Sequence, residues 1–152
     1  MRQTWRPGGF ERSTVVEAAG SFLATKLGLR IFGFHRWKKA LAWLVPGMNA
    51  DTGVIGPGEV TSAQKIAQIA AAVERNFFFR TNCLEQALVL WFLLRRRGIA
   101  AELCFGGRKE GSRFEAHAWV EIGGTVLEKT GEAHHHFVPF EGPLLKGKTH
   151  NE

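Results

Sequence analysis

The apolar positions of this chain follow two different periods, and the change falls near Gly98. Upstream they recur as one face of an α-helix does, and downstream they alternate as a half-buried strand does. The helical spacing predicts helices over about Glu11 to Leu29 and about Phe34 to Val45, the second with an apolar stripe of Phe34, Trp37, Leu41, Leu44 and Val45. Pro46 to Gly58, PGMNADTGVIGPG, reads as a turn-rich connection. Thr61 with Gln64 three residues later resembles a capping box, and Ile66, Ile69, Ala70 and Val73 carry one apolar face on to about Arg75. Asn76 to Arg80, NFFFR, then supplies a phenylalanine cluster that suits core packing, helix entry or the wall of a cleft.

The strongest helix runs through RTNCLEQALVLWFLLRRRG, Arg80 to Gly98. Thr81 or Asn82 supplies its N-cap, Glu85 and Gln86 lie in its first turn, Arg95 to Arg97 meet the negative end of the dipole, and Gly98 offers a left-handed stop. Every residue from Ala87 to Leu94 is apolar, which places this helix at the buried centre of a domain; it is too short to span a bilayer. After Gly98, AAELCFGGR reads as a strand with Glu102 and Cys104 on one face, and Lys109 to Ser112 as a turn. FEAHAWVEI is a second strand, Gly123 and Gly124 a two-residue hairpin turn, and TVLEKT a third strand. The class is therefore α+β, with N-terminal helices and a central Cys-bearing helix packed on a small antiparallel sheet. A single domain over 1–152 is expected, with a helical half at 1–79 and the central helix and strands at 80–140.

Composition changes this picture little. A chain of 152 residues can bury a core without disulfides or metal. The start MRQTWRPGGF has charge and turn residues where a signal peptide becomes apolar, so a cytoplasmic location is expected. Cys83 and Cys104 belong to no CxxC motif and read as free thiols. A net charge of +6 and a pI near 9.8 raise the question of an anionic partner. Lys26, Arg30, Arg36, Lys38 and Lys39 lie opposite the apolar stripe of the second helix. They form either a solvated face of a docked helix or, around residues 26–45, a contact face for a partner protein or an anionic membrane surface. No zinc-finger, RNA-recognition or helix-turn-helix signature points to nucleic acid. His134 to His136 are adjacent and cannot all face one site, so they read as a solvated loop, and no metal or other cofactor is expected.

The chemistry centres on Cys83. A thiol at a helix N-terminus meets unsatisfied N–H groups and the positive end of the dipole, both of which favour the thiolate. A nucleophilic cysteine needs a base within reach and a group to orient that base. His117 is the candidate base: on its strand it shares a face with Trp119 and Glu121, while Ala116, Ala118, Val120 and Ile122 form the other. If Gly123 and Gly124 form a two-residue turn, Glu121 pairs with Val126, Val120 with Leu127 and Trp119 with Glu128. Glu128 then lies on the His117 face as its diagonal neighbour and is the candidate orienting carboxylate; Glu121 is too far along the strand. The Cys83 N–H is a natural oxyanion donor, with Asn82 and Trp119 as further candidates for the oxyanion and substrate cleft.

CLEQALVLWFLLRRRGIAAEL followed by FEAHAWVEIGGTVL closely resembles the lasso-peptide leader peptidases, and LGLRIFGFHRWKKALAWL and the C-terminal FVPF extend the resemblance over most of the chain. It implies a transglutaminase-like, papain-like fold with a Cys/His/Asp triad, in which Cys83 carries over as nucleophile and His117 as general base. The family usually has aspartate near Glu128 or Lys129, where this chain has glutamate and lysine. The resemblance further implies cleavage of a ribosomally made precursor peptide, a separate leader-recognition protein, and a cyclase that receives the core. Two alternatives share the same residues: a transglutaminase-like acyl transferase in which an amine replaces water, and a catalytically silent docking protein.

Overall fold

The computed structural model describes residues 9–45, 55–127 and 137–139. Helix α1 (Gly9–Leu44) is two arms joined at Gly33, whose φ of 73° and ψ of 170° no helix contains. Glycine has no Cβ to oppose that left-handed step, so the chain can turn there between the two expected helices. The arms fold toward each other, because the Trp37 ring occupies the space where a side chain at Gly28 would begin. Helix α2 (Pro57–Arg75) starts four residues before the expected capping box at Thr61. Pro57 has the fixed φ that suits a first helical residue, and the Glu59 carboxylate accepts the Gly56 N–H at 3.0 Å, so the helix is capped earlier; the Thr61 hydroxyl donates instead to the Pro57 carbonyl at 3.1 Å. Residues 46–54 of the expected connection lie outside the described residues.

Helix α3 (Cys83–Arg96) is the centre of the domain, as its unbroken apolar run predicts. Leu88, Val89, Leu93 and Leu94 are fully enclosed, and α1, α2 and two strands pack around them. Each such aliphatic side chain contributes about 2 kcal/mol through apolar surface removed from water. The three arginines at its end do more than complement the dipole. Arg97 donates to the Leu93 carbonyl at 3.0 Å, to the buried Thr14 hydroxyl at 3.0 Å and to Glu17 at 2.7 Å, and Arg96 meets Glu17 at 3.1 Å, so the run ties α3 to α1. Gly98 ends the helix at φ 79°.

The sheet has the order β3-β2-β1-β4, built from β1 (Ala101–Glu110), β2 (Arg113–Ile122), β3 (Thr125–Val126) and β4 (Val138–Pro139), with every pair antiparallel. The β1–β2 turn is tighter than expected. Glu110 pairs with Arg113, leaving only Gly111 and Ser112 between the strands, and Lys109 and Glu110 continue β1. At the second hairpin Gly123 and Gly124 both have positive φ, 52° and 78°, the signature of the two-residue turn that follows strand twist. Its register is the anticipated one: Glu121 pairs with Val126, Ile122 with Thr125, and the Leu127 N–H donates to the Val120 carbonyl at 2.8 Å. Ala118, Val120 and Ile122 are buried in the core with α3.

The basic face on α1 divides. Arg30, Arg36 and Lys39 are exposed. Lys26 and Lys38 are instead structural. Lys38 sits 5.8 Å from the centre of the Trp91 ring, and burial, with the Arg95 charge beside it, lowers its pKa to about 8.

Candidate active site

Cys83 is the first residue of α3, and the residues around it fix that helix end. Asn82 is the N-cap: its side-chain oxygen accepts the Glu85 N–H at 2.9 Å, while the Glu85 carboxylate accepts the Asn82 N–H at 3.3 Å. Of the two expected caps, then, Asn82 holds the position. Cys83 and Leu84 are left with N–H groups that have no partner within the helix, the condition for an oxyanion donor at Cys83. Lys26 reaches across from α1, donating to the Arg80 carbonyl at 2.6 Å and lying 3.8 Å from the buried Glu85 carboxylate. The segment leading into the cysteine is therefore clamped from both sides.

A cavity of about 220 Å³ opens beside this helix end, lined by both Cys83 and His117. Four consecutive residues of β2, His117 to Val120, form one wall, and Phe22, Leu90, Leu127 and small side chains such as Ala70 and Ala87 supply most of its remaining apolar lining. Trp119 belongs to the wall, and its indole N–H is committed to Glu121 at 2.7 Å, which leaves the ring as an apolar surface. Asn82 does not line the cavity, since its side chain serves the cap. Of the phenylalanines ahead of Cys83, Phe77 packs on Phe22 at 5.8 Å, whereas Phe78 is 98% exposed and lines nothing.

Two polar residues of the cavity were not singled out from the sequence. Glu74, at the end of α2, accepts the Thr81 hydroxyl at 2.9 Å and the Gln86 side-chain amide at 3.1 Å; the same amide nitrogen lies 3.2 Å from the Thr81 oxygen. A carboxylate only accepts, so it fixes which end of the Gln86 amide faces it. The legible clue was position: Gln86 follows Cys83 by three residues, on one face of the helix, as a polar residue at the edge of an apolar run.

Cys104 sits opposite Trp119 on β1, half-buried, and both cysteines are free thiols. Burial first, then the Glu121 and Glu102 carboxylates, push its pKa up from 9.0 to about 11. That shift leaves about a hundredfold less thiolate at neutral pH than an ordinary cysteine has. Iodoacetamide at pH 7.5 is therefore expected to modify Cys83 well before Cys104, as peptide mapping over a time course would show; equal labelling would contradict this environment for Cys104. Among the described residues no group of three His, Cys, Asp or Glu side chains could hold a metal ion, and no helix is long and apolar enough to cross a membrane. Glu128 and His134 to His136 lie outside the described residues.

The fold thus packs a helix opening on a cysteine against an antiparallel sheet whose second strand brings a histidine to the same cavity. The transglutaminase-like superfamily profile matches residues 22–141, and the chain belongs to that superfamily. It is similar to the Microcin J25-processing protein McjB of Escherichia coli, with 28% identity over 102 residues that make up 65% of this chain and 48% of that protein. The chain thus spans about half the length of this relative. No solved structure matches it.

Proposed function

We propose that this chain is a cysteine peptidase that removes the leader from a ribosomally synthesised lasso-peptide precursor before a cyclase closes the ring. The observation that carries this reading is the shared cavity of Cys83, at the capped N-terminus of α3, and His117 on β2. The similarity to a microcin-processing protein supports a peptide precursor as the class of substrate. In the proposed reaction the Cys83 sulfur attacks the scissile carbonyl while His117 takes the thiol proton, and the Cys83 N–H donates to the oxyanion. The C–N bond breaks as His117 passes that proton to the leaving amine of the core peptide, and the leader stays on Cys83 as a thioester. Water, deprotonated by His117, then frees the leader as a carboxylate and restores the thiol. Glu128, two residues after Val126 in the sequence, orients the imidazole in this scheme.

The substrate is delivered by a separate leader-recognition protein. The test is one kinetic assay by mass spectrometry of precursor incubated with the protein, with and without that partner. Release of intact core is expected in both, and faster by at least about tenfold with the partner, which raises the local concentration of the leader. Equal rates would assign leader binding to this chain itself, and no release in either would overturn the peptidase reading.

A further inference from the structure

The C-terminal FVPF motif has no role in the scheme above, yet it places an aromatic ring on the histidine. Strand β4 pairs with the outer edge of β1, Val138 opposite Gly107 and Pro139 opposite Gly106, so that Phe137 enters the sheet beside Arg108. Its ring centre lies 4.9 Å from that of His117 at an interplanar angle of 28°, and the Trp119 ring also stacks on the imidazole, at 6.0 Å and 21°. His117 belongs to β2, with β1 between it and β4. The residue of β1 paired with His117 is Gly106. A Cβ at Gly106 would stand 2.8 Å from both the Trp119 ring and the Val138 carbonyl. The guanidinium of Arg108 lies over the Phe137 ring, 5.0 Å from its centre, and is itself held by Glu115 at 2.7 Å.

We infer that Phe137 is a positioning residue for the reaction, holding the His117 imidazole in one plane at the wall of the cavity it shares with Cys83. The physical need is clear. The second side-chain torsion of histidine has a broad profile, so a strand residue samples many ring planes unless something clamps it. Two near-parallel aromatic faces packed against the imidazole restrict the planes its ring can take. The same faces attract a cation, so the imidazolium formed when the thiol gives up its proton is accommodated without moving the ring. Gly106 leaves room for the Trp119 ring and for the close approach of β4 at Val138, and the β1–β4 pairing sets the height of Phe137.

This inference rests on the peptidase reading for its kinetic arm only. In proton NMR of the unmodified protein, the His117 ring signals are expected to be displaced upfield by the flanking rings, and that displacement should largely vanish in Phe137→Leu. Phe137→Leu should lower both kcat on precursor and the rate of Cys83 alkylation by iodoacetamide by on the order of tenfold, with KM little changed. Phe137→Tyr should restore both rates, and Gly106→Val, which leaves Phe137 in the chain but presses on the Trp119 ring and the Val138 carbonyl of β4, should reproduce the loss. Absence of the upfield displacement in the unmodified protein, a rise in KM without loss of kcat, or Phe137→Tyr as impaired as Phe137→Leu would overturn the assignment. If no precursor is cleaved but alkylation of Cys83 still depends on Phe137, the proposed substrate fails and the clamp stands.

Discussion

Cys83→Ala is expected to leave precursor uncleaved in the presence of the recognition protein, a loss of at least about a thousandfold, while the protein stays folded. The side chain removed is small, only half-buried and at the end of α3; the helix is anchored instead by its apolar run and by the Asn82–Glu85 cap. Thermal unfolding should therefore be little affected. Cys104→Ala is the matched control: its thiol lies on β1 beside Glu102 and Glu121, where it is held protonated, and most activity should remain. Mass spectrometry of the precursor after incubation with each variant separates the outcomes.

His117→Ala should cost a similar amount, because in the proposed reaction it removes both the acceptor of the thiol proton and the donor to the leaving amine. The orienting group is tested alongside it. With the Gly123–Gly124 turn in the anticipated register as far as Leu127, continuation of that pairing would set Glu128 on the face of His117, so Glu128→Gln is expected to lower turnover by on the order of a hundredfold or more. The amide fills the same space but cannot stabilise the imidazolium. Glu121→Gln should do little to turnover, since that carboxylate is engaged with the Trp119 indole. Normal cleavage by Glu128→Gln, with loss in Thr130 or Glu132 variants, would move the orienting group further along the chain.

What the sequence reveals here follows from how local each signal is. The Gly123–Gly124 hairpin was legible because both turn residues need left-handed backbone, and that requirement fixes the register of everything beside it. Helix α3 was legible because cap, apolar run, basic end and glycine stop agree. The start of α2 is hidden because Thr61 and Gln64 make a plausible box, while Pro57 at the first helical position and the Glu59 carboxylate on the Gly56 N–H begin the helix earlier, where the sequence reads as turn. Lys26, Lys38 and Arg97 were assigned to faces and dipoles because periodicity shows which side of a helix a charge lies on, but not what arrives there from another helix. Strand β4 is two residues long and carries no period of its own, so its pairing with β1, and the stacking of Phe137 on His117, exist only in three dimensions.

The central claim, that Cys83 is the nucleophile of a peptide-cleaving reaction, is tested most directly by trapping the intermediate. Precursor mixed with the protein and its recognition partner, quenched in acid within the first turnover and mapped by mass spectrometry, should show the leader attached as a thioester to the Cys83 peptide. Leader and free thiol should reappear as the reaction proceeds. Release of core with Cys83 unmodified throughout, or with the leader attached at Cys104, would contradict the account.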